Sequence, residues 1–421
     1  MKSLALLHAS QLVTLAGPSR PRVGKELSEL GIIRDGGILI RDDKVDCVGS
    51  SDEIEKNLNA ISIQVSGEGN NVEIVDLGGR IAMPGFVDAH THLVFGGNRL
   101  DDFERRARGE TYEQIAKAGG GIWSTVEQTR IASEADLFTA AKKRVDWFLK
   151  CGTTTIEAKS GYGLTVGDEL KILRVIRRLN NKTPLEIVPT FLGAHAVPRE
   201  TPLEKYVDLV IDEMLPRVLK EKLAEFCDVF CERDYFDVEQ SREILSSARR
   251  LGLRVRGHVD QLSNSGGAKL MAELGAATAD HLEKTDEQGI AALKSANVQP
   301  VLLPGSVYAL GSTSYPRARE MIEAGLAVVL ATDFNPGSSP TPSMQMVLSL
   351  ACTQMKMSPA EAITAATING AYSLNRGDRI GSLESGKVAN VAVFDCEDYR
   401  ELAYWFGIPQ THSLYVRGEK I

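Results

Sequence analysis

The middle of the chain alternates short apolar runs with amphipathic segments. Eight apolar runs end near His90-Thr91-His92, Lys159-Ser160, His195, Glu232, His258, His281, Gly305 and Asp333. Between them lie stretches of helical period, such as 136–150, 168–179 and 239–251. Eight strands alternating with helices predict an α/β fold, a (β/α)8 barrel rather than a doubly wound sheet. The two ends read differently. Leu12-Val13-Thr14-Leu15, Gly31-Ile32-Ile33, Gly37-Ile38-Leu39-Ile40 and 44–49 are strand-like, as are 389–394 and 413–416. This predicts a small β-sandwich domain formed from both chain termini, residues 1–80 plus 376–421, around a catalytic barrel at 81–375.

Composition narrows the function. With 421 residues, 43% hydrophobic and 25% charged, the chain can bury a large core and is not a disordered one. Its net charge of −8 argues against a basic nucleic-acid face, and pairs such as Arg105-Arg106 and Arg177-Arg178 read as solvated helix surface. No run approaches the ~20 apolar residues of a membrane span. The first residues lack the continuous apolar core of a secretion signal. The six cysteines are scattered, and Cys227 and Cys231 have no second pair to complete a zinc site. They read as reduced thiols of a cytoplasmic protein. What remains is chemistry on a small molecule.

In a parallel barrel, strand C-termini converge on one mouth. Five of the seven histidines fall at such ends: His90, His92, His195, His258 and His281. Asp333 ends the eighth run. His90 and His92 are two apart, so they share a face. Together with His258 and Asp333 they make an N3O set suited to a metal ion. Asp333 is then both ligand and general base. His281 is read as catalytic, and His195 as a substrate contact because the metal is already filled. Lys159 is read as a solvated or ion-paired lysine, not a bridge between two metals, which leaves one ion. Gly119-Gly120-Gly121 lacks the Lys-Ser/Thr of a phosphate-binding loop and is read as a flexible active-face loop.

Four stretches carry a resemblance: Pro84-Gly85-Phe86-Val87-Asp88-Ala89-His90-Thr91-His92, Lys159-Ser160-Gly161-Tyr162-Gly163-Leu164, Phe191-Leu192-Gly193-Ala194-His195, and Ala331-Thr332-Asp333-Phe334-Asn335-Pro336-Gly337-Ser338. Together with His258 and His281 they resemble the amidohydrolase superfamily, and within it the branch that opens an imidazolone ring in histidine degradation. The resemblance implies one zinc or iron ion on His90, His92, His258 and Asp333. It implies that Arg99, Tyr162 and His195 contact the substrate, with Asn335, Gly337 and Ser338 near its ring or the product, and that the protein is a homodimer. Some members carry a glutamate three residues after the strand-five histidine. Here Gln261 stands there, and a neutral amide can contact the ring but cannot take a proton.

The implied reaction is hydrolysis of 4-imidazolone-5-propanoate to N-formimidoyl-L-glutamate. A metal ion would lower the pKa of a bound water from about 15.7 to about 7. Asp333 would accept the water's proton, and His281 would donate to the developing oxyanion. Arg99 offers a planar fork for the propionate carboxylate, and Tyr162 a hydroxyl. A local arginine thus lets an acidic protein bind an anionic substrate. The competing role for Arg99 is a surface ion pair with Asp101 or Asp102.

Overall fold

The computed structural model describes residues 3–64, 72–111, 114–115 and 118–421. The eight barrel strands, in chain order, are Phe86–Asp88, Thr153–Lys159, Glu186–Ala194, Phe226–Cys231, a split fifth strand (Arg254–Val255 and His258–Val259), Thr278–His281, Gln299–Leu302 and Val329–Leu330. Each is hydrogen-bonded to the next in that order. Strands three to eight pair in parallel. The last returns to the first through a parallel bridge between Thr91 and Phe334. There Asp333 N–H donates to His90 O at 3.1 Å and His92 N–H to Phe334 O at 2.8 Å. This closure places the first and last site residues side by side.

The intervening helices follow the apolar period with small shifts at their ends: Glu134–Lys150, Val166–Lys182 and Val238–Arg250. Their starts are chemically marked. Thr165 accepts from Asp168 N–H, and Asp237 forms a reciprocal capping box with Gln240. One strand boundary is corrected. Strand seven stops at Leu302, and Gly305 lies inside the helix Pro304–Ala309. Pro304 at the first helical position stops the strand, because its fixed φ suits the helix start.

The terminal segments form one mixed eight-stranded sheet. Ser3–Val13 pairs antiparallel with Ile32–Arg41 and parallel with Val72–Asp76 and Ile81–Pro84. Val391–Phe394 joins antiparallel to Ile81–Pro84, and Thr411–Val416 continues outward. Alternation sorts the side chains. Leu4, Leu6 and Leu12 share a buried cluster with Ile38, Ile40, Val391 and Val393, while Ala5 and Leu7 pack with Leu39 and Ile54 on the other face. The N-terminal segment also holds a helix, Ser51–Gln64, where the sequence reads only as strands. Its start is a local capping exchange: Glu53 accepts from Ser50 N–H, and Ser50 Oγ accepts from Glu53 N–H.

The chain divides into two compact units. One comprises Met1–Ala89, Trp147–Thr155 and Ser343–Ile421; the other His90–Asp146 and Ile156–Pro342. Boundaries at 80 and 376 follow strand type along the chain, whereas these units follow packing. Every site residue named above lies in the second unit.

Candidate active site

His90 and His92 sit just past strand one, His258 opens the second half of strand five, and Asp333 lies three residues past strand eight. All four are buried. Asp333 Oδ1 stands 3.5 Å from His90 Nε2 and 3.6 Å from His92 Nε2. His258 Nε2 stands 3.4 Å from His92 Nε2. A tetrahedral ion with bonds of about 2.0–2.1 Å would separate its ligand atoms by about 3.3 Å. His90 Nε2 faces this space, is buried, and has no hydrogen-bond partner among the described residues. These donors therefore fit a metal ion.

Electrostatics agree. Burial, above all, pushes His90 and His92 well below the usual histidine range and His258 down to about 4, so the imidazoles are neutral, the form a metal ion needs. Burial also pushes the Asp333 carboxyl up to about 7. A cation beside it reverses that penalty. The backbone is strained around the same space: Asp260, His281, Leu282 and Asp333 all have φ between +52° and +81°. Left-handed non-glycine residues of this kind cluster at functional sites.

Beside the candidate ligands lies a buried ionic network that sequence reasoning missed. Glu157, Lys159, Asp228, Arg256 and Asp280 are all fully buried. Lys159 Nζ donates to Asp228 Oδ2 at 2.7 Å and to Glu157 Oε1 at 2.9 Å, and lies 3.7 Å from Asp280 Oδ2. Arg256 Nη2 donates to Asp280 Oδ2 at 3.0 Å. Two of the carboxylates reach His90 and His258 on the Nδ1 side. Asp280 Oδ2 is 2.7 Å from His90 Nδ1, and Asp228 Oδ1 is 3.0 Å from His258 Nδ1. Each accepts the Nδ1 proton and so leaves Nε2 bare for a metal. Lys159 is thus ion-paired and not solvated. Burial opposes the charge on Asp228, but His258, Lys159 and Arg256 hold its carboxyl well below the usual range. The one signal in the sequence was a charged residue inside an apolar strand, as in Phe226-Cys227-Asp228-Val229-Phe230.

The remaining residues line the same mouth. His281 lies with its ring centroid 5.2 Å from that of His258, and its Nδ1 is 3.4 Å from Glu283 Oε1. Burial opposes its protonation, yet Glu283, Asp333 and Asp280 together raise its pKa. The His195 ring stacks on His92 at 5.1 Å, and its Nδ1 donates to Gly161 O at 3.0 Å. Tyr162 is buried with its ring 5.3 Å from His195. Its loop is fixed by the buried Glu169, which accepts from Gly161, Gly163 and Leu164 N–H. Arg99 is half-buried, and its Nε donates to Thr125 Oγ1 at 2.8 Å. Asp102 is engaged elsewhere, accepting from Gly121 N–H.

Asn335 spends its amide inside the 335–339 turn. Oδ1 accepts from Gly337 and Ser338 N–H, and Nδ2 donates to Asp333 O and Ser338 Oγ. Ser338 Oγ also lies 3.4 Å from Asp333 Oδ2. Gln261 is half-buried on the loop after His258. That loop is anchored by Glu232, which accepts from Leu262 and Ser263 N–H. Gly119-Gly120-Gly121, read from sequence as a flexible active-face loop, lies among the described residues, whereas positions 112, 113, 116 and 117 before it do not.

A closed barrel with a histidine cluster able to hold a metal ion at its mouth points to a class of metal-dependent hydrolases, and the comparisons match it. Residues 81–421 match the amidohydrolase family model, and the chain belongs to that family. A protein from Solibacter usitatus named imidazolonepropionase is 57% identical over 421 residues, covering 100% of this chain and 98% of the relative. One of the same name from Alkaliphilus metalliredigens is 45% identical over 424 residues, covering 100% and 98%. Among solved structures, an adenosine deaminase from Xanthomonas campestris with bound zinc aligns with a TM-score of 0.73 at 17% identity, covering 100% of this chain and 92% of the other. A triazine hydrolase variant gives 0.74 at 17% identity, covering 100% and 94%. At these identities the structures show the shared fold. The family and the site together make the protein an enzyme, a hydrolase. No helix among the described residues is long and apolar enough to cross a membrane.

Proposed function

We propose that this site hydrolyses 4-imidazolone-5-propanoate to N-formimidoyl-L-glutamate, the ring-opening step of histidine degradation. Water adds to the ring carbonyl and the adjacent ring C–N bond breaks. Two relatives that match over the whole chain are named imidazolonepropionase. The observation that carries the substrate choice is Arg99, whose Nε is held by Thr125 Oγ1 and whose charge acts on His195 of the histidine cluster, which suits it to anchor a carboxylate.

His90, His92, His258 and Asp333 would hold the ion, zinc or iron, one per subunit. When bound, that ion supplies Lewis acidity and makes a water acidic near neutral pH. The chain's own groups do the rest. Asp333 takes a proton from the attacking water and returns it to the leaving ring nitrogen. His281, held by Glu283, donates a hydrogen bond to the developing oxyanion. His195 donates through Nδ1 to Gly161 O, so Nε2 is an acceptor for a ring N–H. Tyr162 packs beside the ring, and Arg99 fixes the propionate. Gln261, Gly337 and Ser338 border the same space. All six cysteines are free thiols, which suits a cytoplasmic enzyme. A homodimer completes the proposal.

The test is a substrate panel followed by ultraviolet absorbance: imidazolone propionate against hydantoin, dihydroorotate and guanine. Turnover of the imidazolone alone supports the assignment. Preference for any other member of the panel overturns it.

A further inference from the structure

We infer that Gly337 is a specificity-determining position: its missing side chain makes the slot in which the Arg99 guanidinium lies. This rests on the reading of Arg99 as the carboxylate anchor. A Cβ built on Gly337 would lie 2.9 Å from Arg99 Cζ and closer still to Nη1. Real Cβ atoms essentially never come under 3.0 Å of a neighbour. The backbone does not explain the glycine, because Gly337 is not among the positive-φ residues. Space does. The turn is rigidly held on its other sides. Gly337 N–H donates to Asn335 Oδ1 at 2.8 Å, and its carbonyl accepts from Arg106 Nη1 and Nη2, each at 3.2 Å.

The guanidinium is therefore gripped from two directions. Thr125 Oγ1 fixes Nε at 2.8 Å, and the bare face of Gly337 admits the Cζ–Nη1 edge. A methyl at 337 would meet the far end of a flexible side chain, so Arg99 would move and the turn would stay. Gly337 is in this sense a positioning residue. It selects substrates that carry an anionic tail by setting where the arginine presents its outer nitrogens.

The experiment compares Gly337→Ala with the parent on two substrates, 4-imidazolone-5-propanoate and 4-imidazolone lacking the propionate. Misplacing a charged hydrogen-bond donor should raise KM for the first by about tenfold or more, with kcat little changed. Any loss on the tail-less ring should be clearly smaller than the loss on the propionate substrate. In an Arg99→Ala background, Gly337→Ala should have a much smaller effect than in the parent, because the group it displaces is gone. Thr125→Val should reproduce the KM effect more weakly without touching the turn, which covers the case of an unstable Gly337 variant. An unchanged KM, an equal loss on the tail-less ring, or a full additional loss in the Arg99→Ala background overturns the inference. Arg99→Ala alone tests the underlying role separately: if it leaves KM unchanged, the carboxylate anchor itself is wrong.

Discussion

Asp280→Asn isolates what the buried network does for the metal site. Asp280 Oδ2 accepts from His90 Nδ1 at 2.7 Å and from Arg256 Nη2 at 3.0 Å. It has no contact with solvent. Asparagine keeps the shape and removes the charge. Two independent estimates of the effect agree. Losing a carboxylate that orients a metal-bound histidine typically weakens metal affinity by about 10–100-fold. At about 1.4 kcal/mol per decade this is about 1.4–2.8 kcal/mol. A hydrogen bond to a charged group contributes about 1.5–3 kcal/mol. The assay strips the protein with a chelator, then titrates zinc against a competing fluorescent chelator. Melting of the stripped protein, measured alongside, separates metal loss from misfolding. A zinc Kd within twofold of the parent, in a variant that melts like the parent, would refute the orienting role of Asp280.

Other outcomes follow from the same geometry. Lys159→Met leaves Glu157, Asp228 and Asp280 with Arg256 as their one buried cation in the network, and removing one partner of a buried pair costs about 3–5 kcal/mol; chemical denaturation reads this, and a loss under about 1 kcal/mol contradicts it. Asp333→Asn should abolish turnover while the barrel stays folded, since ligand and base are lost together; substantial activity with metal bound rejects the dual role. Burial, chiefly, holds His195 and His258 at about 4 against an ordinary 6.5. The unfolded chain then takes up protons that the folded chain does not, so the metal-stripped protein loses stability as pH falls from about 6.5 to about 4. A urea midpoint that stays flat across that window rules this out.

The strand-end residues were legible because the information is local. A two-residue period puts His90 and His92 on one face, and an apolar run ending in a polar residue marks the mouth of a barrel. The network beside them was not. Asp280 follows a strand pattern that gives no hint of its partner: it meets His90 from 190 residues away, not its neighbour His281. Lys159 read as solvated or ion-paired, with no way to choose between the two, for the same reason. Whether its three carboxylate neighbours are near depends on strands two, four and six being brought together. The 335–339 turn is a mixed case. Asn335-Pro336-Gly337 announces a turn, but only the fold reveals that Asn335 spends its amide within it and that Gly337 borders Arg99.

By itself, then, the sequence determined the alternation of strands and helices, the sheet built from both ends, and which residues stand at the mouth. These depend on periodicity and on residue type, which are properties of short stretches. Tertiary structure alone decided which nitrogen of each imidazole is left bare, where the buried charges find their partners, and how Arg99 is seated. Those depend on distances of about 3 Å between residues far apart in the chain, and hydrogen bonding and desolvation act only at that range.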